Sequence, residues 1–180
     1  MNYYFDTNVL LSQYKSTDPF HRASLVIVRG LKGGDLVGFT SPLAVIEACC
    51  FIGRNFPPRK GQSREEARTI AVAKFIRDLS TLRLVFTYPT GDYQLPLDGG
   101  RVLMPAIFHQ ALILSFLGLR TLDLLHLASA RYAGRTRADI QGFVTGDADF
   151  IERKRIISKV IGMPVLSPKE LIDAVGMRDT

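Results

Sequence analysis

Apolar and polar positions along the chain change period often enough to mark out its elements. Residues 2–5 are a short aromatic run (Asn2, Tyr3, Tyr4, Phe5) that meets Asp6-Thr7-Asn8 and then the apolar set Val9, Leu10, Leu11 and Tyr14. That order predicts a strand ending in a polar turn that enters a helix. Ala23, Val26, Ile27 and Leu31 recur at helical spacing within residues 20–31, and Gly33-Gly34 follows as a left-handed stop. Leu36, Val37 and Phe39 mark a strand over residues 35–40. Ser41-Pro42 then opens a helix over residues 43–52, a cap followed by a proline at the first helical position. Pro57-Pro58, with Arg54, Arg59 and Lys60, make residues 53–62 a loop. Ser63, with Glu66 three residues on, forms a capping box for a helix to about residue 80, and residues 82–87 read as a strand. Residues 88–100, rich in Pro, Gly and Asp, read as an exposed excursion.

Beyond it, residues 105–117 and 121–132 predict two helices joined at Gly118, the first strongly apolar. A strand over residues 142–145, a basic helix over 147–155, a last strand at Val165-Leu166 and a helix start at Ser167-Pro168-Lys169-Glu170 complete the chain. Strands alternating with helices predict an α/β fold, with a mainly parallel twisted sheet of four to five strands flanked by helices on both faces. No internal repeat or long linker interrupts it, so residues 1–180 read as a single domain with an extended region around 54–104. In such sheets ligands gather beyond the carboxyl ends of the strands.

Composition narrows the class. The chain is 47% hydrophobic and 22% charged, which excludes disordered and fibrous classes. Its two cysteines, Cys49 and Cys50, are adjacent in an apolar stretch, so they are neither a disulfide framework nor a spaced metal set and read as small core residues. The amino end places Asp6 where a signal peptide would need bases and an apolar run. Residues 102–119 are the richest apolar stretch, but Pro105, His109 and Gln110 within it favour a buried helix over a membrane span. A soluble, cytoplasmic protein is expected. The net charge of +6 adds a polyanion to the candidate partners.

Acidic residues carry the candidate chemistry. Asp6 follows the first strand, and Asp147 and Asp149 follow the 142–145 strand in Thr145-Gly146-Asp147-Ala148-Asp149-Phe150. Glu47 lies in Leu43-Ala44-Val45-Ile46-Glu47-Ala48, and Asp123 in Leu122-Asp123-Leu124-Leu125-His126-Leu127, both otherwise apolar helices where a lone carboxylate is costly unless paired. If these acids converge, carboxylates about 4 Å apart repel by roughly 4 kcal/mol per pair at an effective dielectric near 20, so they require a cation or a proton. Oxygen donors without a Cys or His cluster favour Mg²⁺ or Mn²⁺ over Zn²⁺, and such a site suits metal-assisted attack of water on a phosphodiester.

Together, Phe5-Asp6-Thr7-Asn8, Glu47, Thr121-Leu122-Asp123-Leu124-Leu125-His126-Leu127-Ala128 and Thr145-Gly146-Asp147-Ala148-Asp149-Phe150 resemble the PIN domain, the fold of the VapC-type toxin ribonucleases, over residues 2 to about 171. The resemblance implies a Mg²⁺- or Mn²⁺-dependent endoribonuclease acting on single-stranded RNA. It assigns Asp6, Glu47, Asp123 and Asp147 as catalytic and metal-binding acids. Asp149 is an adjunct or the substitute fourth acid, and Thr145 and Asn8 are supporting groups. It also implies a homodimer and an antitoxin partner, whereas the extra length between residues 54 and 104 departs from the compact toxins.

Plainer roles compete at each position. Asp6, Asp123, Asp147 and Asp149 all stand where helix caps or first turns favour an acid. Glu47 can be a solvated rim residue, and His126 reads first as a core histidine satisfying a hydrogen bond. The basic groups Arg54, Arg59, Lys60 and Arg64, and Arg153, Lys154, Arg155 and Lys159, are either solvated faces or phosphate contacts flanking a groove. Two other functions stay open: a PIN-scaffold nucleic-acid-binding or RNA-processing protein that is not a toxin, and an aspartyl phosphatase. The latter wants a second Asp two residues after Asp6, where this chain has Asn8.

Overall fold

The aromatic run at the amino end is the centre of the sheet. In a computed structural model, which describes residues 1–137 and 139–177, strand β1 (Asn2–Phe5) pairs in parallel with β2 (Val37–Thr40) on one side and β6 (Ile140–Val144) on the other. Strand β3 (Leu84–Phe86) extends the sheet beyond β2, and β7 (Val165–Leu166) beyond β6, giving the order β3-β2-β1-β6-β7 with every pairing parallel. This is the α/β architecture expected.

Period-two alternation builds two cores. Tyr3 and Phe5 point to one face of the sheet, against α1 (Thr7–Ser12), α2 (His21–Gly33), α3 (Pro42–Asn55), α4 (Arg64–Ser80) and α9 (Pro168–Val175). Tyr4 points to the other, with Phe39 and Phe143, against α5 (Ala106–Ile113), α6 (Thr121–Thr136), α7 (Ala148–Glu152) and α8 (Lys154–Ile161). A parallel strand covered on both sides must be apolar throughout, which explains the near-continuous aromatic reading of β1.

Helix boundaries follow their caps. Capping boxes close at Ser63/Glu66 and at Ser167/Glu170, as their spacing predicts. Helix α2 stops at Gly34, whose φ of +90° suits glycine alone, and a Cβ there would stand 2.8 Å from the Arg83 guanidinium carbon. Ser41 precedes Pro42 as expected, but its hydroxyl makes no cap bond and is used elsewhere.

Five expectations are corrected. Residues 88–100 are exposed, yet part of them is ordered into a hairpin, β4 (Asp92–Leu97) with β5 (Gly100–Pro105), turning at Asp98-Gly99 where Gly99 takes φ +95°. The 105–117 helix is shorter, ending at Ile113, with a 3-10 turn over Ser115–Leu117. The 147–155 helix is two helices broken at Arg153, whose φ and ψ of −101° and 12° leave the helical region. The apolar stretch 102–119 is not a buried helix: it is a strand, a helix and a turn from which Val102, Leu103, Phe108, Leu112, Ile113 and Phe116 are exposed. No helix among the described residues is long and apolar enough to cross a membrane. Cys49 is half-buried and Cys50 exposed, so Cys50 is not a core residue, and both are free thiols.

Candidate functional site

Chain direction reverses across the sheet between β1 and β6. From β1 the chain moves outward through β2 and β3, then crosses back to β6 and β7. The crevice beyond the carboxyl ends of β1 and β6 is therefore the topological switch point, where α/β sheets bind ligands. Register fixes what stands there: Phe5 lies opposite Val144, so the next residues, Asp6 and Thr145, are neighbours.

Asp6 is 4% exposed and bonded through both carboxylate oxygens. Its Oδ1 accepts from the Thr7 amide at 2.7 Å, making it the cap of α1, while Oδ2 accepts from Asn8 Nδ2 at 2.7 Å and from the Thr145 hydroxyl at 2.8 Å. Burial raises its pKa despite the opposing pull of His126 and these hydrogen bonds. Thr145 Oγ1 accepts in turn from the Asp147 amide at 3.0 Å, and Asn8 Oδ1 accepts from the Gly146 amide at 2.7 Å. Asn8 and Thr145 thus lock the β1 and β6 ends together and fix the Asp6 carboxylate.

Glu47 reaches the same place from the middle of α3. His126, almost fully buried on α6, donates from Nε2 to Glu47 Oε2 at 3.0 Å, while its Nδ1 stands 3.2 Å from the Ser41 hydroxyl and its Nε2 3.3 Å from the Thr7 hydroxyl. The His126 hydrogen bond is the main cause of a lowered Glu47 pKa, overcoming partial burial. Burial works to lower the His126 pKa, but the Glu47 hydrogen bond and the charges of Asp6, Glu47 and Asp123 outweigh it and the net shift is upward. The core reading of His126 fits this geometry, with the addition that its hydrogen bond positions Glu47.

Asp123, in the first turn of α6, is half-buried. Its carboxyl is pushed up to about 6, first by burial and then by the charges of Asp147 and Asp6. Asp147 caps α7 by accepting from the Asp149 amide at 2.8 Å.

Asp6, Glu47, Asp123 and Asp147 line one open pit of about 170 Å³, together with Thr7, Asn8, Leu11, Lys15, Phe51, Arg54 and His126. Four separate segments contribute the four acids. Asp149 and Thr145 are not among the lining residues; Thr145 acts from beneath, through Asp6. Of the basic residues, Arg54 is on the pit wall and Arg59 lines a neighbouring cavity with Phe56 and Pro57. Lys60 is exposed on the loop between α3 and α4. The second basic run is engaged elsewhere: Arg153 donates to the Leu117 carbonyl at 2.5 Å, Lys154 pairs with Glu170 at 2.9 Å, and Arg155 lines a separate surface hollow with Glu152 and Lys159. Among the described residues, no three acidic, His or Cys side chains are gathered tightly enough to form a ready-made metal-binding group.

Sequence reasoning missed Ser41, Thr7, Lys15 and Phe51. Ser41 carried the signal of a cap, and nothing local distinguishes a capping serine from one that faces a histidine 85 positions on.

Compared with known proteins, the chain matches no protein-family profile and no curated sequence.

Proposed function

We propose that this chain is a Mg²⁺- or Mn²⁺-dependent endoribonuclease of the PIN type, hydrolysing phosphodiester bonds of single-stranded RNA. The observation that carries the reading is the convergence of Asp6, Glu47, Asp123 and Asp147, from four separate segments, on one pit at the switch point of a parallel sheet. The upward shift at Asp123, caused first by burial and then by the Asp147 and Asp6 charges, is consistent with neighbouring acids that act on one another.

The donor set fits a hard divalent cation. All four groups are carboxylates, the donor type that Mg²⁺ and Mn²⁺ take, and Mg²⁺ binds through as few as one or two of them while keeping its waters and taking substrate oxygens. Such an ion, when bound, supplies an activated water and stabilises charge on the phosphoryl oxygens. The chain's own residues do the rest. Thr145 and Asn8 hold Asp6 in place, His126 holds Glu47, and Arg54 and Lys15 place positive charge on the pit wall where a phosphate arrives. Removing Asp6, Glu47, Asp123, Asp147 and Asp149 from the balance leaves the rest of the chain at +11, a basic surround for a polyanion.

The toxin role, with an antitoxin partner and a homodimer, belongs to the same proposal. It is tested by growth arrest on expression and by relief from a neighbouring small gene. The enzyme itself is tested by incubating purified protein with single-stranded RNA in Mn²⁺ or Mg²⁺, against EDTA and an Asp6→Asn variant. Cleavage should need metal and fall about a hundredfold or more in the variant, the scale of losing one preorganised electrostatic group. Undiminished metal-dependent cleavage by Asp6→Asn would remove the pit as the active site.

A further inference from the structure

The acidic pit does not end at its own walls. Leu11, Lys15 and Phe51 also line a second cavity of about 230 Å³, set between the end of α1, α3 and α4. That cavity shares Phe56, Ala71 and Lys74 with a third, of about 370 Å³, which runs on past Pro57, Pro58 and Arg59. Their shared lining residues make the three neighbours in a row that leads away from the carboxylates.

Its chemistry changes along the way. The pit is acidic, but no carboxylate lines the second or third cavity among the described residues. The second cavity instead has an apolar floor of Leu11, Ile52 and Ala71, all buried, and aromatic walls from Tyr14, Phe51 and Phe56. Cations stand at its two ends. Lys15 lies 3.9 Å over the Phe51 ring at the boundary with the pit. Lys74 lies 5.4 Å from the Tyr14 ring at the far end, where Asp78 ties both side chains, accepting from Lys74 at 2.5 Å and from the Tyr14 hydroxyl at 2.7 Å. Phe56 is 45% exposed although it sits in an otherwise apolar wall.

Apolar rings beside a cation, Lys15, and next to a site that takes a phosphate are the elements of a single-strand nucleic-acid groove: bases stack on the rings and the backbone meets the Lys15 charge, Lys74 being neutralised by Asp78. We propose that this aromatic cavity is a nucleobase subsite for single-stranded RNA, holding a base next to the phosphodiester placed in the acidic pit. Lys15 then lies where the phosphate linking the two nucleotides passes. Stacking on a ring face is indifferent to base identity, so the subsite selects for an unpaired base rather than for sequence. A duplex, whose bases face one another, has no free base to insert.

The inference rests on the nuclease reading of the pit, and its test is kept apart from that reading by measuring binding without metal. Fluorescence anisotropy in EDTA compares a short labelled oligoadenylate with a strand of the same length carrying abasic ribose at every position, so that charge is equal and only bases differ. Wild type should hold the base-bearing strand about tenfold more tightly, the worth of one stack at about 1.4 kcal/mol per decade. Phe56→Ala and Phe51→Ala should each lose most of that preference, and Phe56→Ala, which is outside the pit, should leave the abasic strand unaffected. Phe56 is exposed enough for its truncation to spare the core, and near-ultraviolet circular dichroism checks that both variants fold.

Equal affinity for the two strands, or a preference that survives both substitutions, overturns the subsite. Binding of neither strand at micromolar protein overturns it as well and leaves the groove to a peptide partner. Base preference without any metal-dependent cleavage keeps the subsite and removes the nuclease, whereas cleavage without base preference does the reverse.

Discussion

The carboxyl edge of β1 and β6 and the hairpin with α5 invert each other. At the sheet edge the residues are polar and buried: Asp6, Thr7, Ser41, His126 and Thr145 all lie within the core's depth. In the segment from β4 to the turn after α5 several large apolar residues are exposed instead, Leu103 by 66% and Phe116 by 64%. Burying polar groups is tolerated only where each is bonded, and the edge meets that demand through contacts between segments as distant as Asp6 and Thr145. Exposing large side chains together costs solubility unless they serve an interface. The fold thus buries polar residues at the edge, where chemistry is proposed, and leaves large apolar residues in water along the hairpin and α5.

The largest test of that contrast falls on His126. It is the hub through which Glu47, Ser41 and Thr7 are joined, so His126→Ala opens a cavity and leaves buried partners unpaired. Chemical denaturation should show a loss of about 3 kcal/mol. The sign of its pH dependence follows from the two shifts. Glu47 has a lowered pKa, so its contribution is present above its ordinary value of 4.5 and is lost as pH falls through the folded value. His126 has a raised pKa, so its contribution is present below 6.5 and is lost as pH rises through the folded value. The gap between wild type and His126→Ala should therefore be widest between those two ordinary values. A loss below about 1 kcal/mol, the worth of a single ordinary hydrogen bond, would mean that the buried edge is not held by this network.

Much of the edge was legible because its signals are local. A run of apolar residues stopped by Asp-Thr-Asn, or by Thr-Gly-Asp, announces a strand end and a helix start without knowledge of anything distant. Glu47 and Asp123 stood out as lone charges on apolar helices. The partners of those acids were not legible, since Ser41 meets His126 only because α3 and α6 pack across the carboxyl edge. The hairpin was missed for a different reason. Asp98-Gly99, with Tyr93 and Leu95 before it and Val102 and Met104 after it, is a turn between alternating runs, but Pro89, Pro96 and several glycines mask the alternation. The break at Arg153 leaves no mark in composition. Burial of residues 102–119 was misjudged because apolar content says that a face must be covered somewhere, not that this chain covers it.

Asp123 sharpens the contrast from inside the site. Its folded pKa of about 6 lies above its ordinary value of 3.8, so its contribution to stability is fully present below 3.8 and is lost as pH rises through 6. In metal-free protein at pH 7 the charged group is a liability. A shift of this size, discounted because the carboxylate is half exposed, makes Asp123→Asn more stable than wild type by on the order of 1 kcal/mol at pH 7, and equal to it near pH 4. Thermal melts at the two pH values read the difference, and Mn²⁺ should raise the wild-type melting temperature more than that of the variant. Equal melts at pH 7 would mean that neither burial nor the neighbouring acids penalise the Asp123 carboxylate, which takes away its reason for a cation.

The smallest effect belongs to Leu103, on the exposed side of the comparison. A side chain already in water loses little on truncation, so Leu103→Ser should change stability by less than about 0.5 kcal/mol, and by the same amount at every protein concentration. If the loss instead exceeds about 1.5 kcal/mol, the transfer energy of a buried leucine, and grows as the protein is concentrated, then a second copy covers the hairpin face in solution. The inversion would then be a property of the isolated chain, with the hairpin and α5 forming the buried centre of a dimer and the carboxyl edge remaining the open one.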